Sequence, residues 1–539
     1  MFQQLLTPVG GGLFPSFLVA SLPVLIVLVL LGVMRRPAWQ ASLAGLIVAL
    51  VIAVGVWGLP PSLAFAAMAN GVAFALWPVM WIVFAAMLLY NTAVRSGHFD
   101  AFRQWLIDHL PNDKRVVLVA VGFCFGALFE GIAGFGTPVA ITSSLLILLG
   151  FEPLEALVFV LIFNTAPVAF GALGAPVTTL GGVTGIPAAV LGQMIGRQLP
   201  FIALLLPFYV IGVYGGLRSI RALWPLLLVA GGSFALCQFI ASNFIDYTLT
   251  DVLASLGSLF ATFLFLQFWR PAADPAYAIA KPNAAALGKR VDVPTWMGWL
   301  PWLIVVVVVI AWTSLGIFKI GAQSVAWPGL DKAISITLYG GKAYPAIWLF
   351  QPLATGTAIL VAAIVTAFVV RSSVADFVGA AVDTVRQIWL AVVTVCIIVA
   401  LAYLMNYSGL AYTLGDGVAS VGSAFVILSP FLGWLAVFLS GSDTSGNALF
   451  GNLQVVAAKQ LGLNPVLFAA ANSSGGVMGK MISPQNIATG VSVTNLKGRE
   501  GEVFARTFPH SIILTILFGL LVVAQQYWFP WMIPAIPAP

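Results

Sequence analysis

The chain has 539 residues, of which 61% are hydrophobic and 7% charged, with a formal net charge of +6 and a mean hydropathy of +1.05. A soluble domain carries about 25% charged residues, so the composition excludes one and points to an all-α polytopic membrane protein. A β-barrel is excluded too, because the apolar runs are continuous and exceed the ~10-residue alternating strands of a barrel. The positive charge falls in loops, where it sets orientation, and implies no nucleic-acid partner.

A span needs about 20 apolar residues. Residues 17–34 and 42–59 supply the first two, separated by Arg35-Arg36, and residues 72–92 the third. The polar passage 95–115 carries His98, Asp100, Arg103, Asp108 and His109. Its apolar residues recur at helical spacing, which suits a helix lying in the interface. Further spans are expected at 200–214, 222–240, 252–268, 299–318, 353–370, 388–405, 425–439 and 511–528. Arg218 and Arg221 bracket a short turn between two of them. Loop 270–295 is polar and basic, and loop 319–352 mixes Gly, Trp and Tyr, as an interfacial or extracytoplasmic loop would. In all, about 12–14 transmembrane helices are expected, some of them re-entrant.

Lysine and arginine in short loops set the orientation. None precedes Phe17, while Arg35-Arg36 follow the first span, which places the N-terminus outside. Lys497, Arg499 and Arg506 precede the last span, which places the C-terminus outside and requires an even number of spans. With no basic region before the first apolar run, a cleaved signal is not expected. Cys124, Cys237 and Cys396 all fall in apolar runs and read as buried small hydrophobes, with neither a disulfide framework nor a metal site. No HExxH, GxSxG, Walker A or dinucleotide signature occurs, so neither an enzyme nor a cofactor is expected.

Two polar stretches interrupt the apolar chain. The first half contains Gly126 to Pro138, with Glu130 among Gly131, Gly134 and Gly136. Leu149-Gly150-Phe151-Glu152-Pro153 and Asn164-Thr165-Ala166-Pro167 follow. The second half contains Asp443 between Gly441 and Gly446, then Leu461-Gly462-Leu463-Asn464-Pro465, then Asn472-Ser473-Ser474-Gly475-Gly476. Seven positions after each Asn comes a glycine (Gly171, Gly479), and twelve after it a proline (Pro176, Pro484). The same features in the same order indicate an internal repeat. They divide the chain into a first repeat-containing half at 1–269, broken near 122–176, a connecting segment at 270–352, and a second half at 353–539, broken near 440–485. Inverted repeats of this kind place a substrate between their broken elements near the midplane.

Gly131, Gly134, Gly136, Pro138, Gly441, Gly446, Gly475 and Gly476 are expected to break helices. Backbone groups freed there must be satisfied by protein, water or ligand. Glu130 and Asp443 are the acids inside the breaks, and a carboxyl in low dielectric suits a proton-coupling role; the alternative is a carboxylate capping a half-helix. Lys480 is either a partner for Asp443, a docking point for an anion, or a snorkelling lysine. Asn164, Thr165, Asn472, Ser473 and Ser474 offer amides and hydroxyls to a small polar substrate or to neighbouring helices. Arg197 reads as an interface anchor, and His98, His109 and His510 as surface groups.

Several long motifs resemble the lactate permease family. They are Gly122–Ala127 through Pro138-Val139-Ala140-Ile141-Thr142, Asn164–Gly171, Gly192–Pro200, Gly231-Gly232-Ser233-Phe234, Ser408-Gly409-Leu410, Ser440–Asn447 and Gly479–Gln485. The resemblance runs from about Pro15 to the end. It implies a bacterial inner-membrane symporter that takes up L-lactate, D-lactate or glycolate with protons. It also implies membership of a wider ion-transporter superfamily, some of whose members have inverted repeats with re-entrant hairpins, which would suit an elevator motion of a transport domain. A passive anion channel, a membrane sensor, or transport coupled to sodium remain the other readings. The preferred hydroxy acid and the oligomeric state stay open.

Overall fold

A computed structural model describes residues 1–34, 36–134, 137–272, 274–279, 293–494 and 496–536. The expected helix break Gly136 and most of loop 270–295 therefore lie outside the described residues. The first helices, α1 (Leu13–Gly32) and α2 (Ala38–Gly55), are apolar throughout. They are followed by α3 (Pro61–Phe74), which runs through a kink at Trp77 into α4 (Trp81–Arg95). The passage expected to lie in the interface is α5 (His98–His109), which buries Phe99, Phe102 and Leu106 on one face. His98 is buried as well, its Nδ1 3.1 Å from Ser96 Oγ, so it is no surface group.

The next elements form a hairpin. α6 (Lys114–Ile132) runs inward and α7 (Thr137–Leu148) returns. Lys114 Nζ donates to the Gly150 carbonyl oxygen at 2.6 Å, so both arms end at the same end of the molecule. Beside that hairpin lies a broken pass. α8 (Pro153–Phe163) stops at Asn164, and α9 (Gly171–Thr184) continues at a 67° bend. A proline at the first helical position starts α8, where its missing N–H costs nothing.

α10 (Ala188–Ile195) leads into α11 (Leu199–Ile240), which reverses on itself. Gly216 adopts φ 66°, ψ −174°, a conformation that side chains disfavour, and a Cβ on Gly231 would sit 2.8 Å from the Leu204 carbonyl oxygen. The two arms therefore pack antiparallel, as the separate spans 200–214 and 222–240 predicted. α12 (Thr250–Phe268) and α13 (Leu300–Ser314) complete the first half and the connection.

Loop 319–352 holds what the sequence did not announce, short strands in an otherwise helical chain. β2 (Gln323–Ala326) pairs antiparallel with β5 (Ile347–Phe350). β1 (Phe2–Gln3) lies parallel to β3 (Ile334–Ile336), which pairs with β4 (Lys342–Ala343). Gln4 Nε2 donates to the Asn406 and Tyr407 carbonyls at 2.8 and 3.0 Å, which fastens this cap to the end of α15. α14 (Thr355–Val369) precedes α15 (Val374–Ser408), whose 35 residues span roughly 52 Å at 1.5 Å per residue. Asp383 near its start pairs with Arg95 at 2.6 Å. The molecule thus has a strand end and a basic end.

The second half repeats the first. After α16 (Leu410–Ala419), α17 (Phe425–Ser440) and α18 (Asp443–Gln460) form a hairpin, tied by Gln454 Nε2 to the Ser429 carbonyl at 3.0 Å. Its outer end lies at the strand end, where Lys459 Nζ sits 4.6 Å from the Tyr339 ring centre. α19 (Pro465–Lys480) and α20 (Pro484–Val493) form a second broken pass, and α21 (Glu500–Tyr527) closes the chain. The first hairpin opens to the basic end and the second to the strand end, so the two repeats are inverted.

Among the described residues, ten helices are long and apolar enough to cross a membrane, or eleven if the bent pair counts as one. The expected count was higher because α11 makes two passes, one on either side of the turn at Gly216, and because the short α14 and the broken pass α19–α20 fall below that length. The polytopic helical membrane protein read from composition is the architecture found.

Candidate functional site

Both hairpin tips and both breaks meet in the interior. Each presents a helix end, and at Asp443 and Lys480 the end carries the charge that its dipole favours, whereas Glu130 lies near a helix C-terminus, where the dipole disfavours an anion. Asp443 is the first residue of α18, where positive dipole and free N–H groups stabilise a carboxylate. Lys480 is the last residue of α19, where the negative end stabilises an ammonium group. Glu130 sits in the last two turns of α6, just before the tip.

Lys480 Nζ lies 2.5 Å from Glu130 Oε1, with both side chains buried. Asn164 Nδ2 donates to Glu130 Oε2 at 3.0 Å, so the first break supports the acid of the first hairpin. The expected Lys480–Asp443 pair is not formed: Lys480 crosses to the other repeat. Gly171 stands against the pair, since a Cβ there would come within 2.9 Å of Glu130 Oε1. Past it, Ala172 and Leu173 take left-handed φ of 45° and 53°. Such conformations are costly outside glycine and persist where the surroundings enforce them.

Asp443 uses one oxygen for structure and leaves the other free. Its Oδ2 accepts from Ser473 Oγ at 2.5 Å and from Asn447 Nδ2 at 3.1 Å. Its Oδ1 has no partner and lies close to Gly476, where a Cβ would sit 2.6 Å away. Ser483 Oγ, in the second break, is likewise buried and unpartnered. A small cavity adjoins Asp443. Glu130, Gly134, Gly171, Ala172 and Pro176 line it from the first repeat, and Gly441, Ser442, Asp443, Thr444, Lys480 and Gln485 from the second.

The remaining expected contacts fall elsewhere. Asn472 Nδ2 donates to Asn447 Oδ1 at 2.9 Å, and its Oδ1 accepts from Gln454 Nε2 at 2.9 Å. Ser474 Oγ donates to Gln198 Oε1 at 2.8 Å. Thr165 Oγ1 turns back to the Ile162 carbonyl at 2.7 Å. Asn472, Ser473, Ser474 and Thr165 thus belong to the polar interior that holds the helices together, and of the six expected substrate contacts only Lys480 lines the cavity. Arg197 is a structural anchor, bonded to Asn243 Oδ1 and the Met532 carbonyl at 2.8 Å each. His510 Nδ1 is 2.6 Å from Tyr209 Oη, so it too is engaged inside the protein.

Four expected breaks need correction. Gly131, Gly446, Gly475 and Gly476 lie within α6, α18 and α19, with the helices continuous through them. They serve close packing, as small residues do between membrane helices. A Cβ on Gly446 would meet Val437 at 2.7 Å, and one on Gly475 would collide with the Pro430 backbone. The actual breaks carry Gly134 and Gly441, both with positive φ. Pro138 is the second residue of α7.

Sequence reasoning missed Asn447, the hub between Asp443, Ser473 and Asn472, although it closes the Ser440–Asn447 motif. It missed Gln485, which the second break brings to the cavity, and Ser483, buried in the same break. It also missed Asp251, which stands at the start of α12 and reads in sequence like the wet edge of a span.

Comparison with known proteins follows the same architecture. A family model described as L-lactate permease matches residues 16–529. An L-lactate permease of Salmonella typhimurium is 39% identical over 99% of this chain and 100% of its own length. The glycolate permease GlcA of Escherichia coli is 40% identical over 99% of each. Among solved structures, the Neisseria gonorrhoeae MtrF transporter covers 93% of this chain and 97% of its own, at 15% identity and a TM-score of 0.52, which shows likeness of fold alone.

Proposed function

Because the chain belongs to the L-lactate permease family, we propose that it takes up L-lactate and related 2-hydroxy monocarboxylates, D-lactate and glycolate among them, together with protons. Its polytopic architecture and its relatives, named as permeases, mark a membrane transporter and not an enzyme. The basic end, with Arg95, Lys114, Arg115 and Arg371, faces the cytoplasm by the positive-inside rule, in the inner membrane of a bacterium.

The observation that carries the coupling is the Glu130–Lys480 pair. Lys480 is the one cation lining the cavity among the described residues, and Glu130 occupies it. A substrate carboxylate reaches Lys480 only by displacing Glu130, and among the described residues no other cation lines the cavity to neutralise a displaced, buried Glu130. A proton on Glu130 removes that penalty. Substrate and proton therefore favour each other's binding by linkage. Asp443 offers Oδ1 to the same cavity, either to the substrate hydroxyl or as a second proton site, and Ser483 Oγ offers a further hydroxyl. Asn164 tunes the site by holding Glu130. The amide N–H groups at the start of α18 add a neutral anion-binding surface.

Uptake of radiolabelled L-lactate into proteoliposomes, under an inward proton gradient and without sodium, tests this reading. Accumulation that collapses with a protonophore is expected. Equilibration without accumulation would mean a channel or uniporter, and accumulation only with sodium would replace the proton by sodium.

A further inference from the structure

The third acid of the interior, Asp251, is unused by the function just proposed. It is the second residue of α12 and is fully buried, at 0% exposure. Neither of its carboxylate oxygens has a hydrogen-bond partner. Its Cβ packs on Gly131, where a methyl group would come within 2.7 Å, which puts it one residue from Glu130 along α6.

The other groups around it are engaged. Asp246, on the turn that precedes α12, accepts from Thr248 and from Thr313 Oγ1. The Tyr247 hydroxyl is 3.0 Å from Thr178 Oγ1 on α9. Cys124 on α6 faces Ser258, two turns further along α12. Among the described residues no cation pairs with Asp251, and Lys480 is held by Glu130. A carboxylate ion buried with no donor and no counter-charge is strongly unfavourable. The smallest ligand that removes the penalty is a proton.

We propose that Asp251 and Glu130, which adjoin along α6, act together as a pair of acids in proton coupling. Asp251 carries the proton while Glu130 holds Lys480. This rests on the proton-coupled reading above and deepens it. When a substrate carboxylate takes Lys480, Glu130 loses its counter-charge beside an acid that is itself neutral and can offer none, and a lone buried carboxylate is costly. One proton from solution then enters the pair and both acids are neutral. The site has gained one anion and one proton, so its net charge is unchanged.

The test uses the full-length protein in proteoliposomes and compares proton-driven L-lactate accumulation with lactate exchange at equal pH. In Asp251→Asn the ratio of accumulation to exchange is expected to fall on the order of tenfold, within the usual range of coupling between two ligands. An unchanged ratio, with the parent accumulating normally, would overturn the role of Asp251 and leave the proton-coupled reading standing. A parent that shows no protonophore-sensitive accumulation would overturn both. Should the Asn variant fail to fold, Asp251→Glu decides: a displaced pH dependence of accumulation supports the pair, and the parent's profile overturns it. Infrared difference spectra on lactate addition give a second readout. Lactate should raise a new carbonyl band from Glu130 in the parent and shift the band of the already protonated Asp251; the shifted component is expected to be lost in Asp251→Asn, and a difference spectrum identical to the parent's would overturn the assignment.

Discussion

Lys480 and Glu130, 350 positions apart in the chain, meet at 2.5 Å in the interior and join the two inverted repeats. Each comes from a different kind of element, the end of a broken pass and the arm of a hairpin. Their contact is the main electrostatic link between the two halves at the cavity.

Removing one partner should be worse than removing both. Lys480→Met leaves Glu130 as a buried, uncompensated charge, a change that costs about 3–5 kcal/mol in comparable buried pairs. Lys480→Met combined with Glu130→Gln should recover most of that stability, and neither variant should take up lactate. Thermal unfolding in detergent and uptake assays on the two variants, beside the parent, check both statements.

Asp443→Asn should fold nearly as well as the parent, since a side-chain amide oxygen can still accept from Ser473 and Asn447. Proton-driven accumulation should be abolished. Full accumulation in this variant would remove Asp443 from the coupling machinery.

Asn447→Ala should destabilise the second hairpin. Its amide donates to Asp443, Ser473 and the Pro176 carbonyl and its oxygen accepts from Asn472. Truncation leaves buried groups unsatisfied, at about 1–3 kcal/mol for such a loss. A melting temperature equal to the parent's would contradict the hub assignment.

Gly171→Ala should lower uptake more than stability. The backbone there, φ −58° and ψ 157°, suits alanine, so the main effect is the methyl group against Glu130. Overpacking of this kind costs about 1–3 kcal/mol, and it is relieved if Glu130 moves away from Lys480. Uptake kinetics alongside a melting curve separate the two effects; unchanged uptake would show that the carboxylate has room to spare.

The local features of this chain were legible without coordinates. Hydropathy marked the spans, because lipid demands continuous apolar surface, and the paired Gly- and Pro-rich stretches marked both broken regions. Arg218 and Arg221 marked the turn in α11, which the non-helical Gly216 makes. Individual glycines were harder. Gly475 looks like a breaker in sequence, yet it lies within α19 and lets α17 approach, because glycine serves both roles and only the neighbouring backbone distinguishes them.

Partnership was decided by the tertiary structure alone. Composition and spacing could establish that Glu130, Asp443 and Lys480 lie in membrane, but which acid meets the lysine depends on how two repeats of opposite sense interlock. The same holds for Asp251. Its neighbours in sequence, Thr248 and Thr250, suggest an aqueous edge, whereas the packing of α12 against Gly131 encloses it completely. Hydropathy and helix breaking are carried by consecutive residues, whereas charge pairing and burial depend on distances between residues remote in the chain.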